Sequence, residues 1–165
     1  MTRAARLLAT AGGLGHLRPA PGTWASLAAV LAGLAIDRFL GFPALVAATA
    51  AATLLGFWAV PRVIAGQAER DPSEVVIDEI AGQWLALLFP AAAFWMRGWE
   101  GWLPWPAPLA AFLLFRLFDI WKPWVIGRAD RRGDAAGVML DDLLAGLFAG
   151  IATLAAAALA HGVLM

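Results

Sequence analysis

The sequence predicts an all-α integral membrane protein, a helical bundle of about five spans forming one domain over residues 1–165. Three observations carry this. Hydrophobic residues make up 62% of the chain and charged residues 15%, with a mean hydropathy of +0.75, whereas a soluble domain is roughly 45–50% apolar and about 25% charged. Five apolar runs reach the ~17-residue lower bound for a helix crossing ~30 Å of hydrocarbon. Lys and Arg gather in alternate loops, as they do on the cytoplasmic side of multi-pass proteins. A formal net charge of zero argues against a nucleic-acid binder. The absence of cysteine excludes a disulfide scaffold, a thiolate metal site and a cysteine nucleophile.

Arg3 and Arg6 precede Leu7-Leu8-Ala9, but this apolar stretch is too short for a cleaved signal peptide and runs into a Gly/Pro/Arg segment. The first span is Trp24–Leu40, with Asp37 and Arg38 near its end. The second, Phe42–Val60, is uninterrupted, and the third, Ile80–Met96, has Gln83 as its one polar residue. The fourth, Trp102–Phe118, opens with three prolines and carries Arg116 in its last turn. The fifth, Leu143–Met165, contains only Thr153 and His161 as polar residues. The first and fourth suit short, tilted or partly re-entrant helices. Gly146 and Gly150, beside Ala145 and Ala149, allow another helix to approach closely and leave room for a homo-oligomer; an Ala-rich helix that happens to hold two glycines is the plainer reading.

Ten of the twelve Lys and Arg residues fall before Trp24, in the Pro61–Glu79 loop or in the Arg116–Asp142 region; the other two are Arg38 and Arg97. This bias predicts a cytoplasmic N-terminus and an external C-terminus. Trp95, Trp99, Trp102 and Trp105 surround the outer loop as an interfacial aromatic belt. The carboxylates share the skew: all but Asp37 and Glu100 are cytoplasmic, including Glu69, Asp71, Glu74, Asp130 and Asp134. Asp78 and Glu79 sit where the third span begins, Asp119 where the fourth ends, and Asp141 and Asp142 where the fifth begins. Three helix ends thus bring five carboxylates to one depth.

Capping and the helix dipole explain acids at a helix start. They explain neither Asp119, at a helix C-terminal end, nor two adjacent acid pairs. Five acids at a low-dielectric boundary need a counter-charge. Arg116, Lys122 and Arg128 are candidates, and a divalent cation is a better one. An oxygen-only ligand set, with His only at 16 and 161, favours Mg²⁺ over Zn²⁺. Arg116 and Asp119, three residues apart, share a helix face, and Lys122-Pro123 ends that helix at the same level. Carboxylate-held metal with Arg and Lys suits a phosphoryl group. Snorkelling to lipid headgroups is the alternative for these cations. Asp130 and Asp134 read as solvated loop acids. Gly12–Ser26 is a Gly/Pro-rich loop opening a helix, whose backbone N–H groups can hold an anion; Thr23 equally suits an N-cap.

Together these segments resemble the phosphatidylglycerophosphatase A family of bacterial membrane lipid phosphatases. The resemblance rests on Pro21-Gly22-Thr23 with Ser26, Val76-Ile77-Asp78-Glu79-Ile80-Ala81-Gly82, the block Phe115–Ile126, and Gly137–Gly146 containing Asp141-Asp142. Ala25 stands where the family pattern has Gly. The resemblance implies Mg²⁺-dependent hydrolysis of the terminal phosphate of phosphatidylglycerophosphate, yielding phosphatidylglycerol and inorganic phosphate at the bacterial inner membrane. Asp78, Glu79, Asp119, Asp141 and Asp142 would be catalytic and metal-binding. Arg116, Lys122, Arg128, Thr23 and Ser26 would bind the substrate. Direct attack by water is favoured over an aspartyl-phosphate, because the Asp-x-Asp pattern of haloacid-dehalogenase phosphatases is absent. Two other classes remain. A CDP-alcohol phosphatidyltransferase would carry a long Asp-x2-Asp-Gly-x2-Ala-Arg pattern, which is missing. A transporter would place ionisable residues near mid-span within inverted repeats.

Overall fold

A computed structural model describes residues 2–65 and 72–164, and side chains as far as residue 160. Glu69, Arg70 and Asp71, and the side chain of His161, lie outside the described residues. Among the described residues every regular element is helical. Short α1 (Arg3–Ala9) and a 3₁₀ segment (Ala11–His16) lead into α2 (Pro21–Leu40), followed by α3 (Phe42–Ile64) and α4 (Ile77–Trp95). Then come α5 (Ala107–Trp121), short α6 (Trp124–Asp130) and α7 (Ala135–Leu164).

The helix boundaries follow from local chemistry. Pro21 opens α2 at a position whose N–H would be unsatisfied anyway. Gly41, at φ 86°, makes the tight reversal into α3 that a side chain would resist. Four helices are long and apolar enough to cross a membrane: Pro21–Leu40, Phe42–Ile64, Ile77–Trp95 and Ala135–Ala160. The protein is therefore a multi-pass membrane protein. The expected fourth span differs. Its helix does not start at Trp102, because Pro104, Pro106 and Pro108 delay it to Ala107. At 15 residues α5 is only ~22 Å long, short of the hydrocarbon thickness.

Alternate helices run in opposite directions, so the starts of α2, α4 and α7 and the ends of α3 and α5 share one end of the bundle. Trp95, Trp99, Trp102 and Trp105 are exposed at the other end, where Phe42 stacks on Trp95 at 5.1 Å between ring centroids. Leu31, Leu54, Leu113, Ile151 and Leu159 are exposed along the outer faces, an apolar surface that suits lipid rather than water. The centre of the bundle is the α4–α7 crossing. Gly146 lies against the backbone of Gly82, so the small-residue stripe on α7 serves a contact within the chain.

A Cβ added at Gly82 would stand 2.5 Å from the Asp142 carbonyl oxygen and 2.7 Å from the Phe115 ring. Neither backbone can yield without separating the two helices. Gly82→Ala is expected to cost ~1–3 kcal/mol or more. A thermal unfolding curve in detergent checks this: the midpoint should fall well below that of the wild type, and an unchanged midpoint would contradict the crossing.

Candidate active site

The shared end of the bundle encloses a cavity of about 290 Å³. Its wall is the first turn of α2 (Ala20, Pro21, Gly22, Thr23), the approach to α4 (Ser73, Val75), and Val138 of α7. Into it project Asp78 and Glu79 from α4, Arg116 and Asp119 from α5, Lys122 from the end of α5, and Asp141 and Asp142 from α7. All five expected acids thus meet in one place, with two of the three expected cations. The topology delivers them there, because α4 and α7 begin where α5 ends.

The five acids are not equivalent. Carboxylate oxygens of Asp78, Glu79 and Asp142 lie within 4.8 Å of one another. Asp78 and Asp142 are 5% and 4% exposed, and the Oε2 of Glu79 is a buried acceptor without a hydrogen-bond partner. Asp119 instead pairs with Arg116, Nη1 to Oδ2 at 2.8 Å, as their i,i+3 spacing predicts. Asp141 accepts from Lys122 Nζ at 2.7 Å. The adjacent pairs are tied locally: Glu79 N donates to Asp78 Oδ1 at 3.0 Å and Asp142 N to Asp141 Oδ1 at 3.1 Å.

Capping explains less of this set than the sequence suggests. Asp78 and Glu79 do lie in the first turn of α4, where acids suit the helix dipole. Asp141 and Asp142, expected at a helix start, lie in the second turn of α7, because that helix begins at Ala135. Its N-terminal cap is Asp134, whose Oδ1 accepts from Gly137 N at 2.7 Å. Arg132 beside it, with that backbone bond, holds the Asp134 carboxyl below the usual range. Asp119 sits within the last turn of α5 rather than just past it.

The remaining expected residues divide. Thr23 lines the cavity from the first turn of α2 and is not its N-cap, which is Ala20. Ser26 is one turn deeper and fully buried; its hydroxyl donates to the Gly22 carbonyl at 2.7 Å, and Arg116 Nη1 approaches its Oγ at 3.4 Å. It therefore braces Arg116 and does not line the cavity. Arg128 is exposed on α6 and is not among the lining residues. Gly22 and Ser73 escaped the sequence-based site. Gly22 bears on the chemistry directly: a Cβ there would collide with Glu79 Oε1 and lie 3.3 Å from Arg116 Nη1. Lys122 ends α5 in a left-handed conformation, φ 49°. Burial opposes its charge, but Asp130 and Asp141 outweigh that and hold its pKa above the ordinary lysine value.

Five carboxyl groups outnumber the two cationic side chains in the cavity, and like charges this close and this buried resist being ionised together without a counter-charge. The donor set fits a hard divalent cation: all ligands are oxygen, three converge, and one buried oxygen is unpartnered. With it in place, Arg116 and Lys122 can hold an anionic oxygen that the carboxylates would otherwise repel.

The sequence matches the family model described as Phosphatidylglycerophosphatase A over residues 7–157. It is 37% identical over 150 residues to a Haemophilus influenzae protein named "Phosphatidylglycerophosphatase A", covering 90% of this chain and 86% of the relative. It is 38% identical over 147 residues to a Bacteroides thetaiotaomicron protein named "Putative phosphatidylinositol-3-phosphatase", covering 86% of each. An Escherichia coli protein named "Phosphatidylglycerophosphatase A" is 31% identical over 142 residues, covering 86% of this chain and 76% of the relative. No solved structure matches the chain.

Proposed function

Because the chain belongs to the phosphatidylglycerophosphatase A family, and is therefore a lipid phosphatase, we propose that it hydrolyses the terminal phosphate of phosphatidylglycerophosphate with Mg²⁺. The products are phosphatidylglycerol and inorganic phosphate. The observation that carries this reading is the convergence of the Asp78, Glu79 and Asp142 carboxylates in a cavity that Arg116 and Lys122 also line. That cavity opens at the membrane-boundary end of the bundle, where a lipid held in one leaflet presents its headgroup.

Asp78, Glu79 and Asp142 would hold the cation. When bound it supplies charge for the phosphoryl oxygens and acidifies water. The protein's own groups do the rest. Arg116, fixed by Asp119 at 2.8 Å and braced by Ser26, aims its guanidinium at the equatorial oxygens. Lys122 adds a second cation from the α5 end. The Thr23 hydroxyl and the first turn of α2 offer neutral donors. As water's oxygen bonds to phosphorus, the bond from phosphorus to the glycerol oxygen breaks. Water's proton passes to a cavity carboxylate, and the departing glycerol oxygen takes up a proton.

A second reading is favoured by the relative from Bacteroides thetaiotaomicron: the same site acting on the monoester of a phosphoinositide. Purified protein in mixed micelles separates the two. Phosphatidylglycerophosphate should release inorganic phosphate with a kcat/KM at least about tenfold above phosphatidylinositol-3-phosphate. The reverse preference would move the assignment to the inositol lipid.

The Lys and Arg bias supports a site that faces the cytoplasm at the inner membrane. The native chain has no cysteine, so single thiols report position cleanly. Glu100→Cys, in the exposed loop at the tryptophan end, should react with a membrane-impermeant thiol reagent on intact cells. Arg131→Cys, exposed beyond α6 at the acid end, should react only after permeabilisation. The opposite pattern would invert the topology.

A further inference from the structure

Asp130 is the last residue of α6, lies outside the cavity and takes no part in the chemistry above. Its carboxylate nevertheless accepts a hydrogen bond from Lys122 Nζ, whose other carboxylate partner is Asp141. Lys122 is the one lysine in the chain. We infer that Asp130 is a positioning residue: it sets where the Lys122 ammonium stands at the cavity mouth and thereby how tightly the lipid phosphate is held. The inference rests on the phosphatase reading of the site.

The turn between α5 and α6 is shaped to make this contact. Lys122 and Trp124 both adopt left-handed backbone, φ 49° and 45°, on either side of Pro123. Such conformations cost non-glycine residues free energy and persist only where surrounding structure enforces them. Gly127 packs so closely on this turn that a Cβ would stand 2.5 Å from the Lys122 carbonyl oxygen. The close contact folds α6 back over the end of α5 and returns Asp130 to the lysine eight residues before it.

The two partners pull in different directions. The Asp141 side chain is 6% exposed and belongs to the cavity, whereas that of Asp130 is 40% exposed and lies outside it. An ammonium has three donors. With both acids in place, two are used and the third is free for a phosphate oxygen. Without Asp130, the ammonium would be held by Asp141 alone and would draw back from the mouth. A half-exposed ion pair adds little to stability, so holding the fold does not account for the contact.

The test is steady-state phosphate release from phosphatidylglycerophosphate in mixed micelles. Asp130→Asn should raise KM about five- to tenfold while kcat stays within about twofold, since a positioned charge felt equally in ground and transition states acts on KM. The thermal midpoint in detergent should not move, and Asp130→Glu should recover most of the loss. On a Lys122→Met background, Asp130→Asn should add nothing, because the two residues act as a unit. Asp134→Asn, which removes a carboxylate paired only with exposed Arg132 and the α7 cap, should leave KM unchanged. A wild-type KM in Asp130→Asn overturns the inference, as does an equal loss on the Lys122→Met background. A wild type that releases phosphate from neither lipid overturns the phosphatase reading instead, and the inference falls with it.

Discussion

Asp142→Asn is expected to lower phosphate release from phosphatidylglycerophosphate by about 10³-fold or more, equivalent to ~4 kcal/mol of transition-state stabilisation. Asp142 is 4% exposed, and its carboxylate meets those of Asp78 and Glu79 within 4.8 Å. Asparagine keeps the shape and removes the charge. It also turns an amide N–H₂ toward the place where a cation would sit. Asp142 lies in the second turn of α7, away from the cap at Asp134, so helix integrity should not suffer. Removing one of several like charges from a low-dielectric site should leave the thermal midpoint in detergent unchanged or slightly raised. Measured together, turnover and unfolding separate the roles. Activity above half of wild type, or loss of activity matched by loss of fold, would remove Asp142 from the chemistry.

Chelation is expected to have an effect of similar size. The cavity holds five carboxyl groups against two cationic side chains, so a phosphate dianion added without a metal meets an excess of acidic groups. EDTA should therefore reduce phosphate release to background, and Mg²⁺ in excess over the chelator should restore it. Zn²⁺ should restore it poorly, because the ligands are carboxylates rather than imidazole or thiolate. Full activity in excess EDTA would mean that Arg116 and Lys122 alone manage the charge, and that the three converging acids serve the fold.

The sequence displayed the elements of this site more fully than its internal pairings. Acid pairs at the starts of two apolar runs and an Arg-x-x-Asp at the end of another place the charges at one depth, because chain direction alternates from helix to helix. The short α5 follows from Pro104, Pro106 and Pro108. The i,i+3 bond between Arg116 and Asp119 follows from helical spacing. Other features depend on tertiary structure that no local pattern encodes. Asp130 reads as a loop acid until the left-handed turn at Lys122 and Trp124 brings it back to the lysine. Ser26 reads as a lining residue until α2 is packed on α5 and its hydroxyl is found under Arg116. Arg128, one of three candidate cations by position, is turned away from the cavity on α6. The division of the five acids into three that converge and two that pair with cations is likewise a consequence of packing.

Asp78, Glu79 and Asp142 are expected to hold a divalent cation in the cavity where the lipid phosphate is cleaved. An anomalous difference map from crystals of the enzyme grown with Mn²⁺ in place of Mg²⁺ tests it most directly. A peak is expected within coordination distance of all three carboxylates, with Arg116 and Lys122 facing it across the cavity. A peak elsewhere on the protein, or an empty cavity in crystals of enzyme that turns over with Mn²⁺, would contradict it.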